Sequence, residues 1–260
     1  MTQLPGTTWN FPPAELHLKE DEVHLWRISV TEMEESIETQ TLILSVEELE
    51  RAKRFHFDVD RNRFILSHGT LREILGQYLG LPPEEIVFGH GVRGKPNLDP
   101  VPQNEGVRFN LSHSGDIVLI AVGRHREIGV DVEKIRPEIE LDRLAQRFFS
   151  PGEVESLSSL DTEHRLAAFF RCWTRKEAYI KALGGGLSIP LDQFEVTLEP
   201  DTPPALSANW EDPDEVARWS LYNIELGDDY LAALAVEGIP VQIQYWHFTP
   251  APITTETKKT

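Results

Sequence analysis

Three carboxylates stand close to basic residues in two short stretches of the sequence, GVDVEK (129–134) and WTRKEAYIK (173–181). Side chains alternate between the two faces of a strand, so Asp131 and Glu133 share a face and repel each other unless something neutralises them. Glu177 lies in a helical pattern. Carboxylate oxygens without histidine or cysteine favour Mg²⁺ or Mn²⁺ over zinc, and Mg²⁺ usually binds a phosphate as well. If the strand and the helix meet, these three side chains predict a divalent-cation site that also takes a phosphate.

The helical stretch arranges its charges in a stripe. Trp173, Glu177 and Lys181 fall at positions i, i+4 and i+8 and therefore share one face. Glu177 four residues before Lys181 is also the order of an ordinary surface ion pair, worth about 0.2–0.5 kcal/mol, and a solvated helix face is the alternative interpretation. In a cation site, Lys176 and Lys181 would lie where phosphate oxygens bind. These cations would also favour the charged form of Glu177.

Patterns of apolar residues predict the elements that hold these side chains. Helices are predicted over 60–80 and 161–184, and a glycine ends each of them. Antiparallel strands with the sequences VRFNL and DIVLIAV are predicted on either side of a tight turn at 112–115. Gly129 allows another backbone or a ligand to approach the acidic strand closely.

Two parts of the chain resemble each other. Residues 71–88 and 176–196 both follow the order helix, glycine, proline and strand, and later strands at 116–122 and 229–236 also match. Chance similarity between short helix-turn-strand units is the alternative. The repeat predicts an α+β fold of two similar halves, each a small, mostly antiparallel sheet packed with a long helix. The predicted divisions are an N-terminal half at 1–125, a C-terminal half at 126–248 and a disordered tail at 249–260.

Composition excludes several classes of protein. The net charge of −18 disfavours binding to nucleic acid or anionic membranes, so any anion site must be built locally. A single cysteine allows no intrachain disulfide. No stretch approaches the roughly 20 apolar residues needed to span a bilayer, and the first residues lack a signal-peptide pattern. These features predict a cytoplasmic protein without nucleic-acid or membrane partners.

Taken together, the motifs resemble the signature of the 4′-phosphopantetheinyl transferases of the surfactin-synthetase-activating type. That family has a hydrophobic-Gly-hydrophobic-Asp-x-Glu segment and, about forty residues later, Trp-Ser/Thr-x-Lys-Glu-x-x-x-Lys. Here Glu177 follows Asp131 by 46 residues. GKPNL (94–98), FNLSHSGD (109–116) and the basic run RAKRF…RNRF also resemble that family, and the resemblance covers roughly residues 45–200. It implies a monomer whose two halves are related by pseudo-two-fold symmetry, with the site between them.

The resemblance implies a group transfer. Coenzyme A donates its phosphopantetheine arm to a serine hydroxyl of an apo carrier protein, and adenosine 3′,5′-bisphosphate is released. By similarity, Asp131, Glu133 and Glu177 are the ligands of Mg²⁺, with Mn²⁺ as the other candidate, and the ion acts on the diphosphate as Lewis acid and template. Glu177 is also the candidate base for the serine proton, directly or through a metal-bound water. Lys181 is expected to neutralise the diphosphate.

Further residues resemble the family's coenzyme A contacts, and most of them carry a donor or a positive charge suited to phosphate oxygens. The predicted coenzyme A contacts are Arg51, Arg54, Arg63, Lys95, Pro96, Ser112, His113, Lys176 and Lys181. A solvated basic helix face is the alternative for the arginines, and a turn histidine bonded to backbone is the alternative for His113. The family often has a basic residue where this chain has Glu48, which implies fewer or different contacts to the 3′-phosphate.

The partner implied by the resemblance is an apo acyl carrier protein or a carrier domain of a fatty acid, polyketide or peptide synthase. Such carriers are usually acidic and this chain is acidic too, so docking needs a local basic or apolar patch. Charge clustering before the long helix predicts this patch at Arg143, Arg147 and Phe148.

Two other functions stay open at this point. A Mg²⁺-dependent nuclease also combines acidic residues with a lysine, although a net charge of −18 counts against it. A non-catalytic module could bind coenzyme A or carrier proteins, but the complete set of three acids and Lys181 counts against a protein without catalysis.

Overall fold

The computed structural model describes residues 7–91, 94–99 and 106–250. Its helices are α1 (Ile37–Leu42), α2 (Val46–Ala52), α3 (Asp58–Leu79), α4 (Leu141–Phe148), α5 (Pro151–Ser159), α6 (Thr162–Leu183) and α7 (Glu215–Arg218). Its strands are β1 (Glu22–Ser29), β2 (Phe88–His90), β3 (Pro96–Leu98), β4 (Val107–Ser114), β5 (Ile117–Arg124), β6 (Ile128–Lys134), β7 (Phe194–Val196), β8 (Leu206–Asn209), β9 (Trp219–Ile224), β10 (Tyr230–Glu237) and β11 (Gln242–His247). This confirms the predicted α+β fold of small, mostly antiparallel sheets and two long helices. The pseudo-two-fold relation between halves stays a prediction.

Two sheets carry the architecture. The first has the strand order β11-β1-β5-β4, in which β11 is parallel to β1 and the other pairs are antiparallel. The second is antiparallel throughout, with the order β6-β10-β9. Two short hairpins, β2-β3 and β7-β8, lie outside these sheets. No helix in the described ranges is both long and apolar enough to cross a membrane.

The two sheets pack face to face and each long helix covers an outer face. On β1, Val23 and Leu25 belong to the apolar layer between the sheets, whereas Trp26 and Ile28 pack on the side of α3. This alternation is the period-two pattern of a strand buried on both faces. Val130 and Val132 of β6 likewise face the first sheet. Asp131 and Glu133, which alternate with these valines, therefore face the side of α6.

Glycines in the left-handed conformation end both long helices. Gly80, with φ of 63°, follows α3, and Gly184, with φ of 77°, follows α6. Glycine adopts this conformation without steric cost, which is why it so often stands just after a helix. Both predicted terminators are confirmed, and the second one places Lys181 in the last turn of α6.

Gly129 sets the distance between α6 and β6. A Cβ atom at this position would lie 2.1 Å from the carbonyl oxygen of Ala178 and 2.4 Å from the nitrogen of Ala182. Any side chain there would overlap the helix backbone. The glycine thus lets the helix lie directly on the strand, as the sequence predicted, and brings Glu177 and Lys181 next to the acidic end of β6.

Polar side chains join the edge of β6 to the edge of β4. The backbone N–H groups on this edge of β6 have no strand partner in the second sheet, and alternate side chains of β4 accept their hydrogen bonds. The bonds run from Val130 N to Asn110 Oδ1 at 2.8 Å, from Val132 N to Ser112 Oγ at 3.4 Å and from Lys134 N to Ser114 Oγ at 3.0 Å. The polar run FNLSHS therefore fixes β6 against the first sheet.

The turn predicted at 112–115 is shorter in the structure. Ser112 and His113 pair with Leu119 and Val118 within the ladder, and β4 continues to Ser114. A two-residue hairpin loop follows, with Gly115 at φ of 57°. The prediction of a turn for Ser112 and His113 was wrong, because both residues continue the β4 ladder and Ser112 Oγ binds across the sheet edge to β6.

The C-terminal strand crosses back to the first sheet. β11 was predicted to belong to the half at 126–248, but it pairs in parallel with β1 from Glu22–Gln242 to Arg27–His247. Pairing with β11 satisfies backbone groups that β1 would otherwise expose at a sheet edge. Most of the predicted disordered tail, 251–260, lies outside the described residues.

Candidate active site

One cavity of about 350 Å³ lies where β4, β6 and α6 meet. Its lining combines the acidic strand, the charged stripe of the helix and the polar end of β4. The lining residues are Leu111, Ser112, His113, Asp131, Val132, Glu133, Trp173, Glu177 and Lys181. The three carboxylates predicted as metal ligands and the predicted phosphate contacts Ser112, His113 and Lys181 therefore share one space.

Asp131 is the most deeply buried of the three carboxylates, with 4% of its surface exposed. Its Oδ1 accepts hydrogen bonds from Lys181 Nζ at 2.6 Å and from Ser112 Oγ at 3.0 Å. Its Oδ2 is buried and has no hydrogen-bond partner within the described residues. Burial raises the pKa of Asp131, while the ammonium of Lys181 opposes that rise. One oxygen of this carboxylate is thus available to a ligand.

Glu133 stands two residues further along the same face of β6. Its Oε2 accepts a hydrogen bond from Ser114 Oγ at 2.8 Å, and Arg136 Nη2 lies 3.7 Å from the same oxygen. Burial raises the pKa of Glu133, and the negative charge of Asp131 adds to the rise. Ser114 Oγ also accepts a hydrogen bond from the backbone N–H of Lys134 in β6. Ser114 therefore orients the side chain of Glu133.

Glu177 reaches the cavity from α6. Its carboxylate makes no hydrogen bond or ion pair with the described part of the chain. Burial, followed by the negative charge of Asp131, raises the pKa of Glu177 to about 7, Glu133 adds to the rise, and Lys181 opposes it. Lys181 favours the charged form of Glu177, as expected, but burial and the nearby carboxylates outweigh it, and Lys176 points away from the cavity.

The chemistry of these donors fits a hard divalent cation. All are carboxylate oxygens, one of which is buried without a partner, and their mutual repulsion would be relieved by a positive ion. Across the described residues, however, no group of three or more His, Cys, Asp or Glu side chains is arranged as a metal site. The carboxylates share the cavity, but the ammonium of Lys181 lies on Asp131 at 2.6 Å.

Two basic residues of α3, Arg63 and His68, act electrostatically on His113. Partial burial, followed by the positive charges of Arg63, Lys181 and His68, lowers the pKa of His113. The guanidinium of Arg63 donates to Asp60 at 3.1 Å, while its Nε is buried and unpartnered within the described residues. The positive charge of Arg63 therefore acts on His113, which lines the cavity. His68 was not predicted, because a histidine inside a long helix gives no signal of its own.

Glu48 has a structural role in place of the family's basic residue. It completes a capping box with Ser45 and forms an ion pair with Arg72 at 2.7 Å. His68 Nδ1 lies 3.1 Å from its Oε1. Although burial opposes ionisation, the hydrogen bonds from His68, Ser45 and Arg72 lower the pKa of Glu48 to about 2. This buried anion orients the start of α2 against α3.

Arg51, in the last turn of α2, and Arg54, just after that helix, are exposed and lie outside the cavity lining. The guanidinium of Arg51 stacks over the ring of Phe64, 5.1 Å from its centroid. Arg54 Nε donates to the carbonyl of Glu50 at 3.3 Å. Their predicted contacts to a phosphate stay predictions.

Lys95 takes a structural position. Its Nζ donates to Glu127 Oε2 at 2.8 Å, to the carbonyl of Ile128 at 2.8 Å and to the carbonyl of Ala182 at 3.0 Å. Three acceptors occupy all three hydrogens of the ammonium. Lys95 therefore ties its loop to β6 and α6, and its predicted contact to a phosphate stays a prediction. Pro96 begins β3 on the exposed side and does not line the cavity.

The side chain of Lys176 points into the protein interior and not into the cavity. It is fully buried, and its Nζ donates to the carbonyls of Leu191 and Phe194 at 2.6 Å each and to Glu153 at 2.8 Å. Adjacent residues on a helix point about 100° apart, so Lys176 faces the interior when Glu177 faces the cavity. The predicted contact between Lys176 and a phosphate was wrong, because the sequence shows charge and not burial.

Two groups around the cavity were not assigned by sequence. Ser114 supports Glu133, and the alternating polar residues of β4 were the signal that could have revealed it. Trp173 was placed on the stripe, and it lines the cavity and packs against Phe148, with ring centroids 5.5 Å apart. Arg147 lies over Phe148 at 4.9 Å, and exposed Arg143 pairs with Glu140. One of the predicted docking residues, Phe148, is thus in contact with a residue of the cavity wall.

Comparisons with known proteins agree on one family. A model described as the 4′-phosphopantetheinyl transferase superfamily matches residues 127–235, and one described as the N-terminal part of 4′-phosphopantetheinyl transferase matches 26–125. The chain is 43% identical over 241 residues to 4′-phosphopantetheinyl transferase HetI of Nostoc sp., covering 93% of this chain and 98% of that relative. It is 36% identical over 158 residues to 4′-phosphopantetheinyl transferase Sfp of Bacillus subtilis, covering 61% and 68%. A solved holo-(acyl-carrier-protein) synthase of Bacillus anthracis in complex with CoA matches 43% of this chain and 94% of its own, at 24% identity and a TM-score of 0.33.

Replacing Glu177 by glutamine should stabilise the metal-free protein. The pKa of Glu177 is raised to about 7 in the folded state, from 4.5, so ionisation costs stability progressively as the pH rises from about 5 to above 7. In EDTA, E177Q should melt about 2–4 °C above wild type at pH 8 and show little difference at pH 5. Glu163→Gln, exposed on the same helix, is the matched control for lost charge. Equal melting temperatures of E177Q and wild type at pH 8 would contradict the proposed repulsion.

Proposed function

The chain belongs to the 4′-phosphopantetheinyl transferase superfamily, and we propose that Asp131, Glu133 and Glu177 hold the Mg²⁺ with which it moves phosphopantetheine from coenzyme A to a carrier serine. The observation that carries this proposal is the shared cavity, where carboxylates from β6 and α6 meet beside Lys181. Such a set suits a diphosphate, because a metal and an ammonium together can neutralise its charge.

Each cavity residue has a distinct task in the transfer. When bound, the divalent ion supplies Lewis-acid stabilisation of the charge that develops on the diphosphate. Lys181 places an ammonium at the cavity wall, where it can hold a phosphate oxygen and orient the bond that breaks. Ser112 and His113 supply further hydrogen-bonding groups from β4. Arg63, beside His113, extends this positive side of the cavity toward α3.

Glu177 accepts the proton of the carrier serine in this proposal. Of the three carboxylates it is the one that receives no hydrogen bond from the described residues, whereas Asp131 and Glu133 receive theirs from β4 or Lys181. A carboxylate without a protein donor is free to take this proton, directly or through a water. The other product is adenosine 3′,5′-bisphosphate, for whose 3′-phosphate Arg51 and Arg54 are the proposed contacts.

Mass spectrometry of an apo carrier protein tests this function. Incubation with coenzyme A and MgCl₂ should add one phosphopantetheine to the carrier, and EDTA should abolish the gain. D131N and E177Q should lower the transfer rate by about 10²–10³-fold, since each removes charge stabilisation at the reacting group. Glu163→Gln should keep the wild-type rate. Binding of coenzyme A without any transfer, or DNA cleavage with Mg²⁺, would contradict the proposal.

The carrier is proposed to dock on α4, next to Trp173. Arg143 is exposed, and Arg147 lies over Phe148, whose ring contacts Trp173 of the cavity wall. This places positive charge and apolar surface beside the site on a chain with a net charge of −18. Both features complement the acidic, partly apolar surface of a carrier domain from fatty acid, polyketide or peptide synthesis.

Reversing charge on α4 tests the docking surface. Arg143→Glu and Arg147→Glu should each raise the KM for the carrier about five- to tenfold and leave the KM for coenzyme A unchanged, because rim charges act mainly on the encounter with the partner. Lys53→Glu, an exposed lysine between α2 and α3 and outside α4, is the matched reversal for the carrier KM. An unchanged carrier KM in both α4 variants would place the docking surface elsewhere.

A further inference from the structure

Lys181 occupies an unusual position for a residue expected to bind a diphosphate. Its Nζ lies 2.6 Å from Asp131 Oδ1 and 2.8 Å from Ser112 Oγ. The ion pair is asymmetric, because 27% of the Lys181 side chain is exposed but only 6% of the Asp131 side chain. The ammonium therefore approaches a buried carboxylate from the open side of the cavity.

The charges around the cavity explain this contact. Asp131, Glu133 and Glu177 line it together, and Lys181 is the cation that lines it with them. Arg136 lies 3.7 Å from Glu133 and forms no other ion pair with the described residues, and His113 lines the same space. Without a metal ion, Lys181 is thus the principal counterion for three crowded carboxylates, and it lies on the most buried one.

A metal ion and this ammonium cannot share Asp131 easily. The contact takes up Oδ1, and a divalent cation at Oδ2 would stand within a few ångströms of the ammonium charge, where repulsion is strong. Oδ2 is the buried oxygen without a partner in the described part of the chain. Ser112 Oγ also donates to Oδ1, so the carboxylate keeps one of its donors if Lys181 leaves.

We propose that Lys181 is an internal counterion that competes with the divalent cation for Asp131 and is released to the diphosphate when cation and substrate bind together. The inference rests on the proposed function, since it requires the ion at these carboxylates. It adds that metal ion and diphosphate bind cooperatively: the diphosphate gives the displaced ammonium a new anionic partner, and the ion replaces the ammonium as the counterion of the carboxylate.

The position of Lys181 in the fold suits such an exchange. It stands in the last turn of α6, two residues before the helix ends at Leu183. Its side chain is a flexible stem of four carbons that carries a point charge, unlike the rigid fork of arginine. Lys176, in contrast, is fully buried on three acceptors and has no comparable freedom.

Titration of the coenzyme-free protein with Mn²⁺ alone tests the competition. Free Mn²⁺ is measured by electron paramagnetic resonance, a readout independent of catalysis. K181M should bind Mn²⁺ about tenfold more tightly than wild type, a gain limited by the partial exposure of the lysine. Lys181→Arg keeps the charge and should stay within about twofold of wild type. Lys53→Met, an exposed lysine outside the site, controls for net charge, and circular dichroism confirms that each variant is folded.

A second titration tests the release. Inorganic pyrophosphate should tighten Mn²⁺ binding to wild type several-fold more than to K181M, because only wild type gains a partner for the displaced ammonium. Equal or weaker Mn²⁺ binding by folded K181M would overturn the inference. Loss of the site in D131N separates this failure from a failure of the proposed function: if D131N binds Mn²⁺ as wild type does, the ion is not held by these carboxylates.

Discussion

The site depends on backbone contact between one helix and one strand. Gly129 has no side chain, so α6 lies directly on β6, and the carbonyl of Ala178 occupies the space that a Cβ would need. That contact carries Glu177 and Lys181 to Asp131. The edge of β6 is fixed in turn by alternate polar side chains of β4, which serve as a substitute for a backbone ladder between the two sheets. Close packing against α6 on one side and hydrogen bonds to β4 on the other hold the acidic strand in place.

Charge is concentrated at this contact at a cost in stability. Three carboxylates share one cavity, and the pKa of Glu177 is raised to about 7 by burial and by its acidic neighbours. A fold selected for stability alone would separate these charges, whereas a site that binds a cation and a diphosphate needs them together. Lys181 moderates the repulsion through its contact with Asp131. The same lysine can therefore serve the resting protein and the reaction, as counterion in the first and phosphate partner in the second.

Local sequence patterns predicted which side chains share one face of a strand or helix, because that depends only on the period of the element. A spacing of two put Asp131 and Glu133 on one face, and a spacing of four put Glu177 and Lys181 on one stripe; the structure has both arrangements. Prediction failed where burial determines a side chain's environment or where pairing between distant segments determines a strand's position. Lys176 differs from Lys181 only in the face it occupies, and the interior acceptors that bind it come from residues 191 and 194. The parallel pairing of β11 with β1 likewise joins the two ends of the chain and leaves no local signal.

The location of the cation is the most direct test of this account. Crystals grown with Mn²⁺ and coenzyme A would show the ion by anomalous scattering. The account predicts one peak within bonding distance of oxygens of Asp131, Glu133 and Glu177 and of the diphosphate, with Lys181 Nζ moved from Asp131 to a phosphate oxygen. A peak remote from these carboxylates, or a diphosphate bound with Lys181 still on Asp131, would contradict it.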